Sequence, residues 1–264
     1  MQLGVWLPRF SIHSSSWKAG DGQDATNEPW MFPEKLGAVR AALRLRCRLK
    51  VALESLFHES AATGVPVCRP LLLHYWRDAR ARAQNFCWMF GRDVLVAPVV
   101  DPGPARARVY LPVQAGASQW LDLRSRRWHH GGGTVECDGG GGEFGVPVFV
   151  REGRGLVLSG EAFRGRHHVG KDERVVLAAV NGEQRAGTAL VLWTEVHDVA
   201  PFAAVRFEVH VRAGRARCLA RPDGGGSARP AFVAFDRVCV QMVGLGKDAG
   251  EQVVPVEWPD AAKL

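Results

Sequence analysis

No uninterrupted apolar run in the sequence approaches the roughly 18–20 residues that cross a bilayer as a helix. The opening MQLGVWLPRF has neither the basic start nor the small-residue cleavage site of a secretory leader. Nothing here addresses the chain to a membrane, and no membrane partner is expected. No Asn-x-Ser/Thr triplet with an allowed middle residue occurs, so glycosylation says nothing about secretion and the compartment stays open. The six cysteines, at positions 47, 68, 87, 137, 218 and 239, form no C-x-x-C pair and have no histidine at zinc-finger spacing. That excludes a zinc module and a disulfide framework, and leaves free, mostly buried thiols as the expectation.

Phosphate-binding signatures are missing too. The glycine-rich stretches GGTVECDGGGGEFG (132–145) and DGGGS (223–227) have no G-x-x-x-x-G-K-[ST] pattern and no strand-to-helix context that would aim backbone amides at a phosphate. They read as surface turns. The His-His pairs at 129/130 and 167/168 offer one ligand each, because adjacent residues of a strand point to opposite faces. No metal site and no cofactor are expected.

What is present is enough apolar material for a sizeable core: 47% of the 264 residues are hydrophobic. The net charge of +7 comes mainly from arginines scattered along the chain, so no nucleic-acid partner is expected. Residues 35–63 contain no proline and one glycine, and Leu36, Val39, Leu43, Cys47 and Val51 recur at three- or four-residue spacing, joined by Leu49, Leu53, Leu56 and Phe57. This predicts one long helix, ended by Gly64 and then Pro66. Its Arg40, Arg44, Arg46, Arg48 and Lys50 read as solvated stems and local ion pairs.

After Pro66 short β-rich runs alternate with Gly, Pro and Asp: DVLVAPVV (93–100), RVYLPV (108–113), SQWLDL (118–123), GTVECD (133–138) and VPVFVREG (146–153). This spacing predicts an antiparallel β-sandwich. From about Gly165 the pattern continues through RVVLAAV, TALVLWTEV, VRFEVHVRA and FVAFDRVCVQMV, and predicts a second one.

The order of these landmarks is informative. The segments QLGVWLPRFSIHS, NEPWMFPE, RLRCRLKVALESLF, GVPVCRPL, FCWMFGRDVLVAPVV, RVYLP, QWLDL and VPVFVREG follow one another over roughly residues 1–155. In that order they resemble the C-terminal half of glycoside hydrolase family 31, which contains α-glucosidases, α-xylosidases and related retaining α-glycosidases. Residues 165–264 correspond to the family's distal β-domain by position only. The implied fold is mainly β: residues 1–65 are the end of a (β/α)8 barrel, with its last strand and a long helix. Residues 66–160 form the proximal C-terminal sandwich and residues 161–264 the distal β-domain. The family departs from this chain at Val51-Ala52-Leu53-Glu54, where it usually has a Pro-Tyr-x-Tyr run, and at GGGGEFG.

The resemblance implies that His13 follows the last barrel strand and binds the sugar next to the scissile bond. Barrel enzymes build their sites at the C-terminal ends of the strands, and a neutral imidazole both donates to and accepts from hydroxyls. A carbohydrate carrying an α-glycosidic bond is the implied substrate. A retaining glycosidase also needs two carboxyl groups about 5–5.5 Å apart. The family's two catalytic aspartates lie in upstream motifs, and no W-x-D-x-N-E-like segment occurs here. Asp21, Asp24 and Glu28, in a polar loop, read as solvated acids. The expectation is a glycosidase portion that is inactive alone and has the missing catalytic half as its partner. The alternatives are a noncatalytic module that binds carbohydrate or protein, with Trp120, Trp128 and Trp193 as the side chains to test, and an inactive relic.

Overall fold

A helix needs one continuous apolar stripe. In the computed structural model the predicted helix forms as α1 (Leu36–Arg48) and α2 (Lys50–Thr63), separated by a single turn residue. That residue, Leu49, keeps the ladder almost intact: its amide donates to Leu45 O at 2.9 Å, and its carbonyl accepts from Leu53 N at 2.9 Å. The buried positions are Ala42, Leu45, Leu49, Val51, Ala52 and Leu53: Leu49, Val51 and Leu53 fall where expected, whereas in α1 the stripe is rotated to Ala42 and Leu45, and Leu43 and Phe57 are exposed. Gly64 ends α2 in the left-handed region, φ 76°, with its amide on Ser60 O at 2.8 Å.

The structure describes residues 1–11, 17–18, 24–25, 28–100, 106–113, 119–139, 143–159, 174–179, 187–195, 203–212, 215–222, 237–243 and 251–257. Before the helices, β1 (Trp17–Lys18) pairs with β2 (Asp24–Ala25). After them come β3 (Cys68–Pro70), the one-turn helices α3 (Leu71–His74) and α4 (Ala79–Arg82), then β4 (Trp88–Phe90), β5 (Val94–Val96), β6 (Arg106–Tyr110), β7 (Gln119–Asp122), β8 (Trp128–His130), β9 (Thr134–Asp138) and β10 (Val148–Arg151).

The order β3-β4-β5-β10-β7-β8 makes a six-stranded antiparallel sheet, and β6 pairs with β9. Strand alternation sorts the six-stranded sheet into two apolar faces. Met89, Leu95, Trp120 and Phe149 pack on Val109 and Tyr110 of β6 and on Leu71 and Tyr75 around α3. Phe90, Val94, Val96, Val148 and Val150 pack on Leu45, Leu49 and Leu53 of the helices.

Past the turn at Gly153 the chain enters β11 (Arg154–Ser159), followed by β12 (Arg174–Ala179), β13 (Gly187–Glu195), β14 (Ala203–Arg212), β15 (Arg215–Pro222), β16 (Arg237–Val243) and β17 (Glu251–Glu257). These close into a barrel in the order β11-β12-β16-β17-β15-β14-β13. A second open antiparallel sandwich was the sequence expectation. Closure differs from it by using parallel pairings, β11 with β13, β12 with β16 and β15 with β17, which leave the sheet no unpaired edge. β11, placed with the proximal unit by sequence, pairs with β12 along its whole length, from Arg154↔Ala179 to Ser159↔Arg174. Leu156, Leu158, Val175, Leu177 and Ala179 of the barrel wall share the apolar cluster of the helices and the six-stranded sheet.

Candidate functional site

The implied sugar-binding residue, His13, lies outside the described residues, as do Asp21, His167, His168 and the turn at 223–227. The approach to His13 is described through residue 11, and its geometry is not that of a paired strand. Gly4–Trp6 form one 3-10 turn, and Leu7 leaves it extended. A strand at this place needs neighbouring strands to satisfy its carbonyls. Here a side chain does so. Arg46 Nη1 donates to Val5 O at 2.9 Å and to Leu7 O at 2.6 Å, and its Nη2 donates to Pro8 O at 2.8 Å. The rigid guanidinium fork suits several carbonyls at once, as an ammonium does not. Its carbon also sits 5.8 Å from the Phe10 ring centroid.

Trp6 fixes the other side of the segment. It is fully buried, its Nε1 donates to Phe144 O at 3.1 Å, and its ring meets Phe90 edge-on with centroids 5.3 Å apart. Cys68 Sγ donates to Trp6 O at 3.5 Å. Burial pushes the Cys68 thiol up to about 11, against the pull of the Arg46 charge, so it stays a protonated donor at neutral pH. The GGGGEFG departure therefore has a defined end: Phe144 joins the core, and Glu143 forms an ion pair with Arg48. The sequence reading missed Arg46. The available signal was its place beside the buried positions Leu45 and Leu49, rather than on the opposite, solvated face.

Beyond His13, the ladder Trp17↔Ala25 and Lys18↔Asp24 closes the loop. NEPWMFPE then forms two short 3-10 turns, Pro29–Met31 and Pro33–Lys35, with Trp30 69% exposed and Met31 and Phe32 exposed beside it. Several of the described acids elsewhere are engaged structurally. Glu59 binds Arg69, Asp93 binds Arg151, and Asp122 accepts from the Arg124 amide and from Ser125 Oγ. Burial raises the Asp78 carboxyl, but hydrogen bonds from Tyr110 Oη and from the amides of Ala81, Val113 and Arg80 outweigh it and hold Asp78 below the usual carboxylate range. That is the opposite of what a general acid needs.

The aromatic candidates sort by burial. Trp120 is fully buried and donates to Pro112 O at 3.0 Å, so it is core. Trp128 packs half-buried against the helix-side cluster, and the Trp193 side chain lies outside the described part. Among the described residues no cluster of His, Cys, Asp and Glu could hold a metal ion, and Cys47, Cys68, Cys87 and Cys137 form no disulfide.

Comparison with known proteins places this arrangement. Residues 64–155 match the family described as Glycosyl hydrolase family 31 C-terminal domain. The chain is 30% identical over 186 residues to the probable glucan 1,3-alpha-glucosidase of Arabidopsis thaliana, a match covering 70% of this chain and 19% of that protein. It is 41% identical over 86 residues to the sulfoquinovosidase of Agrobacterium fabrum, covering 33% of this chain and 12% of that protein. The chain thus spans at most 19% of the length of these relatives. The family 31 alpha-xylosidase of Xanthomonas citri shares its fold, with a TM-score of 0.66 at 20% identity over 96% of this chain and 28% of that one. Residues 64–155 are thus a C-terminal domain of glycoside hydrolase family 31.

Proposed function

We propose that these residues are the C-terminal part of a retaining α-glycosidase, which hydrolyses α-O-glycosyl bonds by double displacement. In this reading His13 hydrogen-bonds the sugar beside the scissile bond, and the nucleophile and the acid/base carboxyl come from parts of the protein other than these residues. The observation that carries it is the three-carbonyl grip of Arg46 on Val5, Leu7 and Pro8, the segment that leads into His13. Such a grip holds the backbone five residues upstream of the imidazole with no strand paired to it among the described residues. Preorganisation of this kind is what a sugar subsite requires, because a side chain displaced by about 1 Å can cost two orders of magnitude in rate.

The test is turnover of aryl α-glycosides by the purified chain of 264 residues, with a His13→Ala variant alongside. No turnover from folded protein is the expected result. Turnover that His13→Ala abolishes would mean that the chain carries a complete site, and would overturn the assignment of both carboxylates to other segments.

A further inference from the structure

β6 is an edge strand. Among the described strands it pairs with β9 alone, from Arg106↔Asp138 to Tyr110↔Thr134. The residue after it fixes the direction of its backbone: Leu111 N–H donates to Gly133 O at 3.0 Å, and the Leu111 carbonyl accepts from Gly132 N at 2.7 Å, so both groups turn toward the β9 side. In-plane groups alternate along an antiparallel strand. Ala107 and Val109 therefore also face β9, and the N–H and C=O of Arg106 and Arg108 face the opposite edge. Side chains alternate across the sheet as well. Ala107 and Val109 pack on the core that holds Trp120 and Phe149, whereas Arg106 and Arg108 are exposed.

The edge opens on a cavity of about 470 Å³. One wall is residues 106–109 of β6, the second is 97–100, which follow β5, and the third is 83–87, which follow α4. Four residues of strand run about 13 Å, so a short extended segment fits lengthwise along β6. The cavity has apolar lining at depth, in Ala97 and Val109, and apolar lining open to solvent, in Phe86 and Val100. Its charged lining is of one sign: Arg106 and Arg108, with no carboxylate. The acids that β9 sets across from these arginines are partly committed. Glu136 meets Arg106 at 3.8 Å, and Asp138 meets Arg124 at 3.5 Å. Arg108 has no side-chain hydrogen bond or ion pair among the described residues.

We propose that the free edge of β6 docks an extended acidic segment of a partner protein, which joins β6 and β9 as a third strand. Its carboxylates lie opposite Arg106 and Arg108, and the apolar residues between them face Ala97 and Val109. Main-chain hydrogen bonds supply the affinity in this mode of recognition, and alternate side chains supply the specificity. Antiparallel pairing is the stronger arrangement, and it lets each acidic residue exchange both N–H···O bonds with the arginine opposite. Charge decides the occupant. An acidic strand adds opposite-charge cross-strand pairs, whereas β6 paired with the β6 of a second copy sets Arg106 against Arg108, and like charges directly opposite are destabilising.

The experiment uses the full chain and a fluorescein-labelled peptide, Thr-Val-Glu-Val-Glu-Val-Thr, blocked at both ends. Binding is measured by fluorescence polarisation, and amide hydrogen exchange in β6 is followed by NMR with and without the peptide. The expected result is saturable binding that slows exchange at Arg106 and Arg108 and leaves Ala107 and Val109, which face β9, unchanged. Arg108→Glu keeps the backbone edge and reverses one charge. It should weaken the glutamate peptide roughly tenfold and strengthen, by a similar factor, the peptide with lysine at both glutamate positions. Four results overturn the proposal: no saturable binding of the glutamate peptide, equal binding after methylation of its two glutamate amides, affinities for both peptides unmoved by Arg108→Glu, or a dimer of the free chain that the peptide disrupts, which would make a second copy the occupant.

Discussion

Arg46 shows how much a single side chain can decide. It is half-buried, it reaches three backbone carbonyls, and burial lowers its pKa against the partial support of Cys47 and Cys68. Its guanidinium nonetheless stays charged at neutral pH, since the ordinary value lies so high. Arg46→Ala leaves the Val5, Leu7 and Pro8 carbonyls without that donor, and charge-assisted hydrogen bonds contribute about 1.5–3 kcal/mol each. Because the exposed Pro8 contact is worth least, a total loss of about 3 kcal/mol is expected in urea unfolding. Arg46→Lys should recover less than half of it, because one ammonium cannot span three carbonyls in a fixed fork. Equal stability of the two variants would show that packing on Phe10, rather than the fork, holds the segment. The sequence left Arg46 among several similar basic residues on the helix. Spacing distinguishes a buried face from a wet one, but not which long stem at the border folds back onto the backbone.

At the scale of elements, the turns carry conformations that side chains resist. Gly64 and Gly91 both have positive φ, 76° and 66°, but their surroundings differ. A Cβ on Gly64 meets nothing within 4 Å, whereas one on Gly91 would lie 2.7 Å from Leu56 Cδ2. Gly64→Ala should therefore cost about 1 kcal/mol, from backbone strain alone. Gly91→Ala should cost more, roughly 1–2 kcal/mol, since the Leu56 methyl must also shift. Chemical denaturation of both, with Gly91→Ala repeated in a Leu56→Ala background, checks the difference: the extra cost of Gly91→Ala should fall away in that background.

Asp78 works at the same scale. Its carboxylate accepts from the Arg80 and Ala81 amides at 3.0 and 3.1 Å, capping α4, and from Tyr110 Oη at 2.6 Å, tying α4 to β6. Its folded-state pKa is depressed, so its contribution is present above the unfolded value near 4 and is lost as pH falls through the folded value. Wild type should exceed Asp78→Asn in stability at pH 7, with the gap closing as pH drops below about 4. A gap that persists at pH 2 would mean that neither the cap nor the tyrosine bond depends on the ionised carboxylate.

At the scale of the whole molecule, three layers share one apolar cluster: the helices, the six-stranded sheet and the wall of the closed barrel. The outer side of the helical layer is different. Trp30, Met31, Phe32, Leu43 and Phe57 stand exposed there. The absence of turnover expected from the chain by itself belongs to this scale, because retaining hydrolysis needs two carboxyl groups facing each other across the substrate.

Periodicity in the sequence determined the helical segment, its end at Gly64 and most of the strands, because local burial leaves a 3.6- or 2-residue rhythm in composition. The family order of motifs pointed to His13, which no rhythm singles out. Tertiary structure alone decided that the distal strands close through parallel pairings, that the helix turns Ala42 and Leu45 inward instead of Leu43, and that Arg46 and Arg69 serve the interior. Each of these depends on which distant partner supplies a hydrogen bond or a counter-charge. Val5 and Arg46 are 41 residues apart, a separation at which composition carries no trace of the contact.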